Sequence, residues 1–175
     1  MSEAMGMPAP DPGAAAAPLP IDGREAFRVA LLFALDDCAR AGVPELWLCD
    51  PDFSAWPLGQ PVIIAALSRW ITPRRRLTLV AGSYEHLAQR NPRWVAWRRQ
   101  WGHAVHCLQV REEEAAQVPA LLYGPPAVAL RMHRMDPGLR GHLYREADDL
   151  APLADLVDAL TQRTHEAFPV TTLGL

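Results

Sequence analysis

Apolar and polar positions recur along this chain with two different periods, and these periods predict its helices and strands. Apolar side chains at helical spacing predict helices over residues 22–40, 60–71, 83–91, 91–101 and 149–167. Short apolar runs between turn-forming residues predict strands over 45–49, 76–81, 104–110, 120–123, 127–132 and 142–145. Helices and strands alternate at first, several strands then follow one another, and a helix closes the chain. This order predicts an α/β fold, a three-layer α/β/α sandwich with a mixed sheet of about five to seven strands.

Capping residues indicate where two of these helices begin. Asp22, followed three residues later by Glu25, forms an approximate capping box, and Gly42 is a typical stop for the same helix. Asn91 and Pro92 predict the start of another helix, with proline at its first position. The strand over 45–49 therefore follows its helix after a short loop, as is usual in α/β proteins.

The amino-terminal 20 residues differ in composition from the rest of the chain. Residues 1–20 consist mainly of Ala, Pro, Gly and Met, so we expect a disordered tail followed by a single α/β domain over 21–175. The first residues are not basic and no apolar stretch follows them, so we expect no secretory signal. The longest apolar run, residues 29–35, is much shorter than a membrane span. We therefore expect a cytoplasmic location.

The charged residues and cysteines exclude several chemistries. All 17 basic residues are arginine, so a lysine Schiff base and a P-loop lysine are both absent from this sequence. The net charge of −3 provides no overall attraction to nucleic acid or to a membrane. Cys38, Cys49 and Cys107 are far apart and form no CxxC pair, which predicts reduced, buried thiols.

A polar turn directly follows the strand over 45–49. It carries Asp50, Asp52, Ser54 and Trp56, and the loops at the carboxyl ends of strands hold the ligand site in open α/β sheets. Two carboxylates in such a turn can bind a hard cation or act as acid and base, and with nearby histidines they suggest a hydrolase. The same residue types also form Asx turns, in which their side chains satisfy loop backbone groups. The turn is therefore a candidate site with a structural alternative.

The segment 69–101 combines arginine with tryptophan. Residues 69–99 hold eight arginines and one glutamate, and Trp94, Trp97 and Trp101 recur at helical spacing. Such a mixture is typical of nucleic-acid or phosphate-ligand binding, with arginine on phosphates and tryptophan stacked on bases. The alternative is a tryptophan face in the core and arginines in water.

The histidines give no metal-binding pattern. His103 and His106 would share a face only on a helix, whereas Gly102 and the following residues favour a strand. The other four histidines are isolated in the sequence: His86, His133, His142 and His165. No GxSxG, GxGxxG or Walker A sequence occurs, and we expect neither a metal nor a cofactor.

Three stretches resemble a family of bacterial proteins related to single phospholipase D-like half domains. The stretches are residues 48–58, residues 86–93 leading into the tryptophan helix, and residues 167–175. The resemblance implies an α/β/α sandwich and, because half domains usually pair, a homodimer. The candidate binding residues of this sequence are Asp50, Asp52, Ser54, Trp56, Ser83, His86, Arg93 and His133.

The catalytic signature of the resembled enzymes is not found where it would be expected. That signature is His-x-Lys followed by Asp, and residues 119–126 contain neither histidine nor lysine. No residue is therefore carried over as catalytic, and the resemblance implies a non-catalytic domain that acts by binding. One substitute arrangement is Arg131 with His133, which lie two apart and would face the same side of a strand.

Overall fold

The computed structural model describes residues 17–134 and 138–168 and defines the following elements. The strands of this part are β1 Leu19–Asp22, β2 Glu45–Asp50, β3 Arg76–Ala81, β4 Val105–Gln109, β5 Ala120–Gly124, β6 Val128–Arg134, β7 Arg140–Tyr144 and β8 His165–Glu166. The helices are α1 Arg24–Ala41, α2 Pro61–Trp70, α3 Glu85–Arg90, α4 Pro92–Gln100 and α5 Ala147–Thr161, with a 3₁₀ helix at Glu112–Gln117.

The strands form one mixed sheet. Its order is β1-β7-β6-β5-β2-β3-β4-β8, in which β2, β3 and β4 are parallel and the other pairings are antiparallel. The predicted α/β fold with a mixed sheet is confirmed. The described residues contain eight strands rather than five to seven, because short edge strands at both ends of the sheet, β1 and β8, give little periodic signal.

The first strand corrects the boundary of the predicted tail. Leu19 and Pro20 pair with β7 opposite Leu143 and His142, inside the stretch 1–20 that composition assigns to disorder. Proline is tolerated there because an edge strand needs backbone donors on one side only. Residues 1–16 lie outside the described residues, as does the apolar stretch 170–175.

Helices cover both faces of the sheet. The larger apolar core lies between one face and helices α1, α2 and α4, and it includes Phe27, Leu67 and Trp94. A smaller core lies under α5 on the other face, where Leu153 and Val157 belong to the same cluster as Leu121. This arrangement is the predicted three-layer sandwich.

The helix ends agree with the sequence in part. Gly42 ends α1 in the left-handed conformation, with φ 66°, as predicted. The predicted capping box is wrong, because Gly23 occupies the N-cap position and no side chain caps α1. Asn91 and Pro92 do begin α4, but the Asn91 side chain accepts a hydrogen bond from the Gly59 N–H at 2.8 Å instead of capping the helix. The loop after β2 is thereby tied to the start of α4.

The strand directions place the carboxyl ends of four strands at the same edge of the sheet. The carboxyl ends of β2, β3 and β4 meet at one edge of the sheet because these strands are parallel. β6 is antiparallel to β5, which is antiparallel to β2, so β6 ends at the same edge. None of the helices in the described parts of the chain is long and apolar enough to cross a membrane.

Candidate functional site

The Asp50 carboxylate organises the turn that follows β2. Its Oδ1 accepts hydrogen bonds from the backbone N–H groups of Asp52, at 3.0 Å, and Phe53, at 2.7 Å. Its Oδ2 accepts a hydrogen bond from the Trp56 indole N–H at 2.8 Å. Asp50 is only 3% exposed, and burial raises the pKa of its carboxyl, while the bonds from Asp52, Trp56 and Phe53 oppose that rise. Both carboxylate oxygens are therefore occupied in holding the turn.

Asp52, Phe53 and Trp56 are also held in place by contacts within the turn or with the core. Asp52 Oδ1 accepts a hydrogen bond from the Ser54 N–H at 2.8 Å, which is the Asx geometry. Phe53 is fully buried with φ 56°, a conformation that is rare for a bulky residue. Trp56 is buried and meets Phe27 and Phe53 edge to face, with ring centroids 5.2 and 5.7 Å away. The Asx-turn alternative thus describes this turn.

The carboxyl edge beside this turn is closed by the 3₁₀ helix. A side chain at Gly82 would have its Cβ in contact with the Ala115 Cβ and 2.9 Å from the Ala115 Cα. The N–H groups of Gly82 and Ser83 both donate to the Pro51 carbonyl, at 2.9 and 3.1 Å. The ends of β2 and β3 therefore pack closely against each other and, at Gly82, against Ala115.

A cavity of about 450 Å³ lies on the other side of the turn, beside the start of α1. Ser54 and Trp56 line it together with Gln60 and the residues Arg24 and Arg28 of α1. Arg28 is paired with Glu25, whereas Arg24 forms no ion pair with a described residue, so this cavity carries a single uncompensated charge. Two of the predicted site residues thus reach a cavity, while Asp50 and Asp52 face inward to the turn.

Of the remaining predicted site residues, Ser83 lies beside the turn, because its N–H donates to the Pro51 carbonyl at 3.1 Å. Ser83 is half-buried, and its Oγ accepts a hydrogen bond from the Glu85 N–H at 3.3 Å at the start of α3. His86 and Arg93 are exposed on α3 and α4. His133 is exposed at the end of β6. The structure therefore brings Ser83 to the turn and places His86, Arg93 and His133 on the exposed surface of three other elements.

The histidines at 133 and 142 form a pair that sequence reasoning treats as isolated residues. The β6–β7 pairing brings His133 Nε2 within 3.1 Å of His142 Nδ1, and Arg131 lies directly opposite His142. Partial burial, His142 and Arg131 all lower the pKa of His133. The isolated assignment is wrong for these two histidines because strand register is not visible in the spacing of the sequence.

The tryptophans of the segment 69–101 belong mainly to the core. Trp70, Trp94 and Trp97 are buried, and the Trp97 indole donates to Ser68 Oγ at 2.9 Å, which anchors α4 on α2. Trp101 is only half-buried. The core alternative is therefore the correct description of three of these rings, which are not available to stack on bases.

The arginines of the same segment have three different environments. Arg69 pairs with Asp36, and Arg75 stacks over Trp70 and donates to its carbonyl. Arg98 is buried, a position that sequence reasoning missed. The exposed arginines with no ion pair among the described residues are Arg74, Arg76, Arg90, Arg93 and Arg99.

The three cysteines are buried free thiols, as predicted. Burial raises the pKa of Cys38 and of Cys107 to about 12, and it raises the pKa of Cys49 as well. They are neutral at physiological pH and therefore poor nucleophiles and metal ligands. The described residues contain no cluster of three or more His, Cys, Asp or Glu side chains placed to hold a metal ion.

Comparison with solved structures defines the class of fold. The chain superposes on Nuc from Salmonella typhimurium, a phospholipase D family member, with a TM-score of 0.54 and 8% identity over 86% of this chain and 99% of Nuc. It also superposes on TrmBL2, described as an archaeal chromatin protein with a novel mode of DNA binding, with a TM-score of 0.60 and 10% identity. That second match covers 87% of this chain and 55% of TrmBL2.

These matches establish a phospholipase D-like α/β fold and nothing finer, because the identities are very low. The chain spans only about half the length of TrmBL2. No protein-family model matches the sequence, and no curated protein matches it either.

Proposed function

We propose that this protein is a non-catalytic phospholipase D-like domain that binds nucleic acid through an arginine-rich edge of its sheet. The observation that carries the proposal is a group of exposed basic side chains that form no ion pair with a described residue, which we call the basic edge: Arg74, Arg76 and His103, which line one cavity, and Arg99, four positions before His103. This proposal keeps the arginine contacts expected from the sequence and leaves out stacking on the buried tryptophans.

The basic edge lies where the parallel strands begin. Arg74, Arg76 and His103 line a cavity of about 190 Å³, and Arg99 lies in the last turn of α4, which leads directly to His103. Glu45 is the acidic residue that lines this cavity. Arg74, Arg76 and Arg99 form no ion pair with any described residue, so their charges are free to meet phosphates.

Local charge outweighs the net charge of the molecule here. The chain carries −3 overall, yet residues 69–99 contain eight arginines against Glu85. At physiological ionic strength charges separated by more than about 8 Å are largely screened, so a ligand at the basic edge experiences mainly the nearby arginines. Arginine is well suited to this role because its planar guanidinium matches phosphate geometry.

Two observations support binding rather than catalysis. Both oxygens of Asp50 are occupied by hydrogen bonds within the turn, and Ala115 fills the space next to Gly82 at the carboxyl edge. A hydrolase that uses Asp50 would need that carboxylate free to reach a substrate or a water molecule. The sequence also supplies no lysine for a His-x-Lys signature.

The proposal is tested by substitutions that remove charge from the basic edge and leave the fold unchanged. Binding of a fluorescently labelled DNA duplex is measured by anisotropy for wild type and for Arg74→Gln/Arg76→Gln/Arg99→Gln. The matched control is Arg24→Gln/Arg111→Gln/Arg131→Gln, which removes three exposed arginines elsewhere on the surface that also form no ion pair with a described residue. We expect micromolar affinity, on the order of 10⁻⁶–10⁻⁴ M, that the first variant weakens at least tenfold and the control changes little. Equal affinities for the two variants would refute the basic edge.

Phosphodiester hydrolysis is a second candidate because of the histidine pair. His133 and His142 are 3.1 Å apart, and Arg131 lies opposite His142 on the same strand pair. The assay is hydrolysis of bis(p-nitrophenyl) phosphate by wild type, His133→Ala and, as control, His86→Ala. We expect no turnover above background. Turnover that His133→Ala abolishes and His86→Ala leaves intact would replace the binding proposal with a catalytic one.

The proposal includes a homodimer in the cytoplasm. Cytosolic thiols stay reduced, which suits three buried free cysteines. Light scattering of the purified chain measures the mass directly. A molecular mass of about 19.3 kDa would mean a monomer and would remove the dimer from the proposal without affecting the basic edge.

A further inference from the structure

Arg98 is a buried cation that has no counterion among the described residues. It is 5% exposed, and within residues 17–134 and 138–168 it forms no ion pair and its Nε has no hydrogen-bond partner. A buried charge is strongly unfavourable unless it is paired, so arginines in this position nearly always meet an anion.

The guanidinium of Arg98 is held in a fixed place. Its Cζ lies 4.7 Å from the centre of the Phe168 ring. Phe168 is itself stacked on Tyr84 and on Trp94, with ring centroids 5.5 and 6.3 Å away. This aromatic stack supports one face of the guanidinium and restricts where its terminal nitrogens can lie.

A cavity of about 480 Å³ adjoins Arg98, between the end of α4 and the edge formed by β4 and β8. Gly102, Val105 and Ala167 give it apolar walls, and His106 and Glu166 are its other polar lining residues. A volume in this range is typical of sites for small ligands.

The neighbouring acidic groups do not neutralise Arg98. Burial raises the pKa of the Cys107 thiol to about 12 and that of the Tyr84 phenol further, although Arg98 itself lowers both, so both groups are neutral at physiological pH. Glu166 lines the cavity but is exposed and forms no ion pair with Arg98.

We infer that this cavity binds the oxyanion group of a small ligand, a phosphate or a carboxylate, on the terminal nitrogens of Arg98. A guanidinium offers two parallel N–H donors that match two oxygens of such a group. Val105 and Ala167 contact the apolar part of the ligand, and the Glu166 carboxylate at the wall repels the bound anion. The site is separate from the basic edge, and it takes a small molecule rather than a polymer.

The test is calorimetric titration of the full chain with inorganic phosphate and, separately, with acetate, at constant chloride concentration. We expect saturable binding of at least one of the two anions, and the preferred anion identifies the oxyanion class. Arg98→Met keeps the bulk of the side chain and is expected to weaken binding at least about tenfold. Arg90→Met, which removes an exposed arginine of the same segment, is expected to leave binding unchanged.

The Glu166→Gln variant provides an independent readout that does not depend on the folding of Arg98→Met. Removing the repelling carboxylate is expected to tighten anion binding severalfold. The inference is overturned if wild type shows no saturable binding of either anion, if Arg98→Met binds as well as wild type, or if Glu166→Gln leaves the affinity unchanged. These outcomes are independent of DNA binding at the basic edge.

Discussion

His133 and His142 share a contact in which at least one of the two rings must be neutral. Their nitrogens lie 3.1 Å apart, and a hydrogen bond at that distance needs one donor and one acceptor. Partial burial, His142 and the Arg131 charge together lower the pKa of His133 from its usual value of 6.5. As the pH falls through 6.5, the unfolded chain takes up a proton here before the folded chain does, so this residue reduces stability toward acid pH.

The contribution of the neighbouring histidine to this pKa is measurable by NMR titration. We expect His142→Ala to raise the pKa of His133 toward 6.5, because it removes one of the interactions that disfavour its charged form. His86→Ala, which changes an exposed histidine on α3, serves as the control. An unchanged His133 titration in His142→Ala would mean that the two rings do not interact in solution.

Asp50 has a structural role that a conservative substitution tests. In Asp50→Asn the amide oxygen can still accept the two backbone hydrogen bonds, but the amide N–H₂ then faces the Trp56 N–H, and two donors cannot bond. We expect a loss of about 1–3 kcal/mol in the free energy of unfolding, measured by urea denaturation. Asp52→Asn, which affects one bond to Ser54, is expected to change it by less than about 0.5 kcal/mol. Equal effects of the two would contradict this role.

At the scale of single residues, the sequence predicts local hydrogen bonding in a turn better than it predicts contacts with distant residues. The Asx turn at 50–54 follows from residue types that favour such turns, and the structure confirms it. Phe53 in a left-handed conformation and Arg98 in a buried one were not predictable. The first depends on the Asp50 hydrogen bond, and the second depends on Phe168, which lies 70 positions away in the sequence.

The 3₁₀ helix and the end of β3 pack so closely that no room is left for a side chain. A Cβ added at Gly82 would contact the Ala115 Cβ and lie 2.9 Å from the Ala115 Cα, which belongs to the backbone and cannot rotate away. We expect Gly82→Ala to lower the free energy of unfolding by about 1–3 kcal/mol through overpacking.

A compensating substitution at Ala115 tests whether its contact with residue 82 causes the loss of stability. Ala115→Gly removes the opposing Cβ, so the double variant Gly82→Ala/Ala115→Gly is expected to recover part of the lost stability in a double-mutant cycle. Additive effects of the two substitutions would show that the 3₁₀ helix does not close this edge. The closed edge would then no longer be an argument against catalysis.

Helix α4 is anchored by tryptophans that differ in burial. Trp94 is fully buried, so Trp94→Ala is expected to cost about 3–5 kcal/mol in thermal or urea unfolding. Trp101 is half-buried, and Trp101→Ala is expected to cost clearly less. Trp94→Phe is a useful control, because the Trp94 indole N–H is buried with no hydrogen-bond partner in the described part of the chain, and its removal offsets part of the lost packing. A larger loss for Trp101→Ala than for Trp94→Ala would contradict this assignment.

Most helices and the central strands could be predicted from the sequence, whereas the edge strands could not. The strand at 76–81 is apolar at four of its six positions, Leu77 and Leu79 to Ala81, which is typical of a buried parallel strand, and the prediction matches β3. β8 has only two residues, and β1 contains Pro20, so neither carries a periodic signal. The basic edge was the least predictable part, because packing and strand register bring Arg74 and Arg76 together with His103 from a distant segment.

At the scale of the whole molecule, the proposed function depends on the charge distribution, because the fold alone does not specify it. The phospholipase D-like fold does not specify an activity, since the similar solved structures include a phospholipase D family member and a DNA-binding chromatin protein. The charge distribution is a property of this chain, and it concentrates unpaired arginines at one edge of the sheet. The central claim therefore depends on whether those arginines contact phosphates.

The salt dependence of DNA binding tests that claim most directly. Each phosphate that an arginine neutralises releases counterions. The logarithm of the association constant therefore falls with the logarithm of the salt concentration, with a slope of about −0.9 per phosphate on duplex DNA. For a labelled duplex measured between about 50 and 200 mM salt, we expect a slope of about −3 or steeper for wild type. In Arg74→Gln/Arg76→Gln/Arg99→Gln we expect the slope to be shallower by about one unit for each arginine that binds a phosphate in wild type. An affinity that does not change with salt, or the same slope in this variant as in wild type, would contradict the account.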